Sequence, residues 1–276
     1  MEQKLKNIGQ LDGKVLVFGG VYSNLQALQS IQKVAIDLGV EPSNIICTGD
    51  IAGYCAQPSE CMNIIEDWGI HVIRGNVEQN LVDEVDDCGC NFAEGGRCDT
   101  FSRQWYPFVK QSVTDKNLSF LHSLSNGISF SYSGRQVRVV HGSEEDISAF
   151  VFMSTPWEIK NHTFDNSKSE VILAGHAGIP FADERDGLLW LNAGVIGMPA
   201  NDGTTDVWYV LLDDAEGDLT YVFRRLQYDC EQANALMIQH GLPSTYAQTL
   251  LNGIWDNCEI LPDAEMKNQG KRISFE

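Results

Sequence analysis

The chain has 276 residues, 43% of them hydrophobic, and sets 38 Asp plus Glu against 19 Lys plus Arg for a formal net charge of -19. That length and apolar fraction suit one ordinary or slightly large domain, and the negative charge argues against nucleic acid or an anionic membrane as partner. No apolar run approaches the roughly 20 residues that span a bilayer, and Met1-Glu2-Gln3-Lys4-Leu5-Lys6 mixes charges where a secretory signal would be apolar. The expectation is therefore a soluble cytoplasmic protein whose eight cysteines stay largely reduced.

Lys14 to Phe18 is an apolar run of β-formers that closes on Gly19-Gly20. Leu25, Leu28, Ile31, Val34, Ala35 and Leu38 then recur at helical spacing, with Gly39 as the stop. A second strand, Asn44 to Thr48, ends at Gly49-Asp50; a helix from about Pro58-Ser59 follows; a third strand, His71 to Arg74, ends at Gly75-Asn76. This alternation predicts parallel strands whose C-terminal ends share one edge, where ligands commonly bind. After a helical, loop-rich middle, 128–132 and 136–140 read as a hairpin over Ser133-Gly134 that delivers His141, and 171–174 delivers His176. Runs at 188–191, 207–212 and 219–223 are expected to complete a second sheet, with helices over 230–240 and from Ser244. The polar tail after Pro262 reads as loose.

Strand ends that present a carboxylate, an amide oxygen and two imidazoles, at Asp50, Asn76, His141 and His176, form a mixed oxygen and nitrogen set. Such a set suits Mn, Fe, Zn or Co, and is enough for one ion per chain. Each residue alone reads more readily as a turn, a helix cap or a structural histidine; the weight lies in the four together.

Longer text supports the set. Ser23-Asn24-Leu25-Gln26-Ala27-Leu28, Gly49-Asp50-Ile51-Ala52-Gly53-Tyr54, Gly175-His176-Ala177-Gly178-Ile179-Pro180-Phe181 and Leu191-Asn192-Ala193-Gly194-Val195-Ile196-Gly197 resemble successive motifs of the calcineurin-like metallophosphoesterases. Within that superfamily the bacterial and archaeal diadenosine-tetraphosphatase-like phosphodiesterases are the most similar group. The resemblance runs from about residue 14 to 225. It implies an α/β fold in four layers, α/β/β/α, with two mixed sheets flanked by helices. Residues 1–229 would form the metallophosphoesterase-like domain, and 230–276 a C-terminal helical extension packed on it. It also implies a divalent-metal hydrolase of small phosphodiesters or phosphomonoesters, with oligomeric state left open.

The departures from the family pattern are as informative. Where the family opens its site with Asp-x-His-x-Asn, this chain reads Gly20-Val21-Tyr22-Ser23-Asn24, and the second histidine of Gly-His-x-His is Gly178. These losses fall on one of the family's two metals, while Asp50, Asn76, His141 and His176 complete the other. The family's Gly-Asn-His-Asp, whose histidine serves the phosphoryl transition state, is Gly75-Asn76-Val77-Glu78 here, and losing a general acid typically costs about 10²- to 10⁴-fold.

Cys88, Cys90 and Cys98 could refill the vacant position with sulfur, or be merely buried thiols; Tyr22 could serve as a phenolate ligand or as a hydrogen-bond donor to bound phosphate, or simply pack into the gap. Arg74 could meet a phosphate, whereas Glu144-Glu145-Asp146 would set negative charge beside the site. Three readings stay open: a hydrolase with a mononuclear or re-ligated site, a pseudoenzyme that binds metal or phosphate without turnover, and a thiolate chemistry on the old scaffold.

Overall fold

The computed structural model describes residues 5–275, so the charged stretch read at Met1–Lys4 lies outside the described residues. Strands β1 (Leu5–Leu11) and β2 (Val15–Phe18) lead into α1 (Leu25–Leu38), β3 (Ile45–Cys47), α2 (Pro58–Trp68), β4 (His71–Val72) and α3 (Asn76–Val82). Helices α4 (Arg97–Ser112) and α5 (Asp115–Ser123) precede the hairpin of β5 (Gly127–Tyr132) and β6 (Arg135–Val139). Next come α6 (Trp157–Ser167), β7 (Val171–Ala174), β8 (Phe181–Arg185), β9 (Leu188–Asn192), β10 (Val207–Asp213) and β11 (Thr220–Leu226), and then α7 (Cys230–Gln239), α8 (Ser244–Asn252) and the short α9 (Asp263–Met266).

Two sheets result, ordered β1-β5-β6-β7-β9-β8 and β11-β10-β2-β3-β4. The alternation along β2 shows why they stack. Val15 and Val17 face the other sheet, in a core with Ile46, Phe130, Val139, Leu173 and Val210, whereas Leu16 and Phe18 face the helices, among Leu28, Ile31, Trp105 and Met237. A third cluster, with Ile172, Trp190 and Phe164, seats α6 on the outer face of the six-stranded sheet. Helices, sheet, sheet and helix thus form the four expected layers.

Local chemistry sets the ends of the elements. Asn24 caps α1 by accepting from the Ala27 N–H at 3.1 Å and also donates to the Gly197 carbonyl. Gly39, at φ 65°, closes α1 in the left-handed conformation.

Two expectations need correction. Strands β10 and β11 do not join β9 in the six-stranded sheet: β10 pairs antiparallel with β2, Val210 opposite Val17, and so extends the five-stranded sheet. Apolar periodicity marks a strand, but cannot tell which of two sheets will bury it. Nor is the tail after Pro262 loose. Gly270 donates to the Asn201 carbonyl at 2.8 Å, Arg225 holds the Ile273 carbonyl at 2.8 Å, and the Phe275 ring stacks on Phe223 at 3.8 Å. Among the described residues no helix is long and apolar enough to cross a membrane.

Candidate metal centre and its aromatic neighbour

Four of the predicted residues meet where the C-terminal ends of both sheets converge. Asp50 follows β3 and Asn76 opens α3 just beyond β4, while His141 and His176 follow β6 and β7. All four are at least nine-tenths buried. Around His141 Nε2 lie Asn76 Oδ1 at 2.9 Å, Asp50 Oδ2 at 3.2 Å and His176 Nδ1 at 3.2 Å. Among the described residues, Asp50, His141 and His176 are the only group of three or more His, Cys, Asp or Glu whose ligand atoms lie within 4.8 Å of one another.

The proton inventory shows what this cluster wants. His141 Nδ1 sits 2.7 Å from the Thr48 carbonyl, which only accepts, so Nδ1 carries the hydrogen and Nε2 presents a lone pair. The Asn76 amide donates to the Cys88 carbonyl at 2.9 Å and to Cys90 Sγ at 3.2 Å, which turns its oxygen inward. A carboxylate oxygen, an amide oxygen and an imidazole nitrogen therefore point lone pairs at one spot, with His176 Nδ1 3.2 Å from that nitrogen. Only a positive centre reconciles such a set, a proton or a cation. Burial alone would lower the His141 pKa, but Asp50, the Thr48 carbonyl and Glu78 outweigh it and the value ends above the ordinary one. Burial and then His141 push His176 down to about 3, so it stays a neutral donor. The residues present fit one divalent ion with nitrogen and oxygen ligands.

The backbone around them is strained. Asp50 and His176, at φ 55° and 59°, are non-glycine residues in the left-handed region, as are Tyr22 and Ser23 at 50° and 59°. A side chain on Gly75 would collide with the Asp50 carboxylate, and one on Gly49 with the His141 ring and the Gly75 backbone. Glu78, which sequence reasoning passed over, ties this loop down. Its Oε2 accepts from the N–H of Asp50 and of Gly75, both at 2.9 Å, and its Oε1 from that of Ala52 at 3.0 Å. Burial, then the Asp50 charge, raise the Glu78 pKa to about 7.

The other half of the site is built from rings. A side chain on Gly20 would run into the Tyr22 ring at 2.7 Å and into Val195 at 2.9 Å, so Tyr22 occupies the direction in which a ligand at position 20 would extend. Tyr22 packs on Tyr54 with centroids 4.5 Å apart, and Tyr54 in turn stacks on Trp105 at 4.8 Å and meets Tyr246 edge-on at 5.2 Å. Gly178 faces Trp255 at 3.5 Å, and Phe150 lies against His176 at 4.3 Å. Between them is a cavity of about 70 Å³, partly open to solvent, with Asp50 and His176 in its wall.

The other sequence-predicted residues divide between the cavity wall and places away from it. Arg74 points away from the site, donating to the carbonyls of Leu121, His122 and Leu124 and to Gln79. Glu144 pairs with Arg138 and Glu145 with Asn166 and Thr163, and none of the 144–146 acids lines the cavity. Cys88 and Cys90 touch, Sγ to Sγ 2.7 Å, on the amide side of Asn76; Cys90 also lines the cavity, and burial raises its pKa well above the ordinary thiol value. Cys98 lines the cavity and bonds Asn257 at 3.3 Å. Phe150, Tyr246 and Trp255 carried no sequence signal, because tertiary packing alone brings them to the site.

A family model described as the calcineurin-like phosphoesterase superfamily domain matches residues 15–216. The chain is 25% identical over 256 residues to an uncharacterized protein of Methanocaldococcus jannaschii, covering 87% of this chain and 98% of that one. Its fold is similar to the crystal structure of a hypothetical protein from Pyrococcus horikoshii, with a TM-score of 0.72 at 18% identity over 88% of this chain and 99% of the other. It is also similar to that of a metallophosphoesterase from Sphaerobacter thermophilus, with a TM-score of 0.68 at 20% identity over 88% and 100%.

Proposed function

The chain belongs to the calcineurin-like phosphoesterase superfamily, and from that premise we propose that it is a metal-dependent hydrolase of small phosphate esters working through a single-ion half-site. The observation that carries this reading is the meeting of Asp50, Asn76 Oδ1 and His141 Nε2 lone pairs, with His176 Nδ1 3.2 Å from His141 Nε2. Asp50, Asn76, His141 and His176 would hold one Mn, Fe, Zn or Co ion per chain. Bound there, the ion would polarise a phosphoryl oxygen and acidify a water.

The chain's own residues supply orientation and exclusion. Thr48 fixes the His141 tautomer, the Cys88 carbonyl fixes the Asn76 amide, and Glu78 holds the Asp50 loop in its strained conformation. Phe150 and Tyr22 keep bulk water from the buried side, which strengthens charge interactions with a bound phosphate.

A second reading, binding without turnover, draws on a separate observation. Val77, at the position of the family's transition-state histidine, is fully buried in the core, and no side chain at Gly20 or Gly178 offers a ligand.

Metal analysis of protein purified without chelator, paired with hydrolysis of bis(p-nitrophenyl) phosphate and p-nitrophenyl phosphate, separates the two. About one ion per chain with chelator-sensitive hydrolysis that His141→Ala abolishes supports the hydrolase. The ion without turnover supports the binder, and no ion at all removes both.

A further inference from the structure

The half of the site that lacks the family's first-motif ligands opens into a cavity lined mostly by apolar surface, with Cys90, Cys98, Thr249, Asp256 and Asn257 also in its wall. It is a ring-lined slot that opens onto the remaining ligands. Tyr22, Tyr54, Tyr246, Phe150 and Trp255 line the same cavity as Asp50 and His176. Tyr54 is held between Trp105 at 4.8 Å and Tyr22 at 4.5 Å, so its ring is fixed before anything binds. Trp255 is fixed by its indole N–H on the Pro199 carbonyl at 2.7 Å and its backbone N–H on Asn201 at 2.8 Å. Gly178, opposite Trp255 at 3.5 Å, leaves the space a side chain would fill. The volume of about 70 Å³ amounts to several waters, and the rigid aromatic lining favours a flat apolar group over water.

Resting on the half-site reading, we propose that this slot binds the aromatic alcohol portion of the substrate, so that the protein acts on aryl phosphate esters with the phosphoryl group at Asp50, Asn76, His141 and His176. The chemistry points the same way as the cavity. In hydrolysis a water oxygen bonds to phosphorus and the bond from phosphorus to the ester oxygen breaks. Its electron pair leaves on that oxygen, which takes a proton from solvent, while the proton of the attacking water passes to phosphate or solvent. With buried Val77 following Asn76, that position has no side chain to protonate the leaving oxygen. Such a site handles a phenolate, whose conjugate acid titrates near 10 as tyrosine does, far better than an alkoxide.

Calorimetric titration of the metal-loaded protein with phenylphosphonate and with methylphosphonate tests binding without turnover. The expected result is about tenfold or greater preference for the phenyl compound, the scale of burying part of one ring. That preference should fall towards parity in Trp255→Ala and in Tyr54→Leu, the latter keeping apolar volume at the site. Phenyl phosphate should likewise be hydrolysed with higher kcat/KM than ethyl phosphate. Equal affinity for the two phosphonates in protein that holds its metal overturns the aryl slot and leaves the half-site standing. Absence of metal together with no binding of either phosphonate overturns the half-site, and the slot with it.

Discussion

The two halves of the site stand side by side on the same strand ends and are built by opposite means. Asp50, Asn76 and His141 are each oriented by hydrogen bonds from or to backbone, through Glu78, the Cys88 carbonyl and the Thr48 carbonyl. Gly20, Tyr22 and Gly178 are surrounded by ring contacts and van der Waals packing. A polar site persists only if every buried lone pair keeps a partner. Once ligands are gone, the surrounding donors and acceptors become a burden, and apolar side chains that need no partner are the stable filling. The kept half should therefore be brittle to the loss of any one group, and the vacated half tolerant of apolar change but intolerant of returning polarity.

Breaking the kept half gives the largest effect. His141→Ala removes a proposed ligand and leaves the Thr48 carbonyl without its donor. Metal content should fall from about one ion per chain to near zero, and hydrolysis by at least about 100-fold. Metal analysis and p-nitrophenyl ester hydrolysis read both, and a variant that keeps its metal would remove His141 from the ligand set.

Glu78→Gln tests the support rather than the ligands. The amide has one accepting oxygen, so either the Ala52 N–H or the pair from Asp50 and Gly75 would face an NH₂ group. The expected cost is about 1–3 kcal/mol in denaturant unfolding, with metal affinity weaker by about 10- to 100-fold. An affinity loss without any stability loss would mean that Glu78 acts on the ion directly.

Restoring polarity to the vacated half sharpens the comparison from the other side. Gly20→Asp sends a side chain into the Tyr22 ring and Val195, and should destabilise by about 1–3 kcal/mol through overpacking. Adding Tyr22→His clears the ring and should recover part of that loss, a coupling of about 0.5–3 kcal/mol in a double-mutant cycle. Additive effects would show that the ring of Tyr22 does not fill this direction.

This contrast also explains what could be read in the sequence. The polar half was legible because each candidate ligand follows an apolar strand run, so strand order alone brings Asp50, Asn76, His141 and His176 to one edge. The aromatic half was not. Tyr54 precedes α2, Tyr246 sits on α8 and Trp255 in a loop beyond it, and only packing in three dimensions brings them to Gly178. Arg74 misled because a cation next to a site motif reads as a phosphate contact, whereas its guanidinium is turned onto three backbone carbonyls near the end of α5. Strand membership failed at β10 for a related reason. Val207 to Leu212 is apolar enough for either sheet, and pairing with β2 decided it.

The smallest effect on metal binding is expected from the cysteines, whose position between the two halves makes them the sharpest test of whether sulfur has replaced the missing ligands. Cys88 and Cys90 lie on the amide side of Asn76, where Cys90 Sγ accepts from Nδ2, opposite the oxygen that faces His141. Burial keeps Cys90 a thiol, a poor ligand until it loses its proton. In Cys88→Ser with Cys90→Ser the Cys88 backbone carbonyl still holds the Asn76 amide at its present 2.9 Å. Metal stoichiometry should therefore be unchanged and affinity should move by less than about tenfold, while two buried hydroxyls lower stability by about 1–3 kcal/mol each where they find no partner. Loss of an ion from this double variant would show that the vacated half had been rebuilt with thiolates, and that its aromatic lining is only the outer wall of a second metal position.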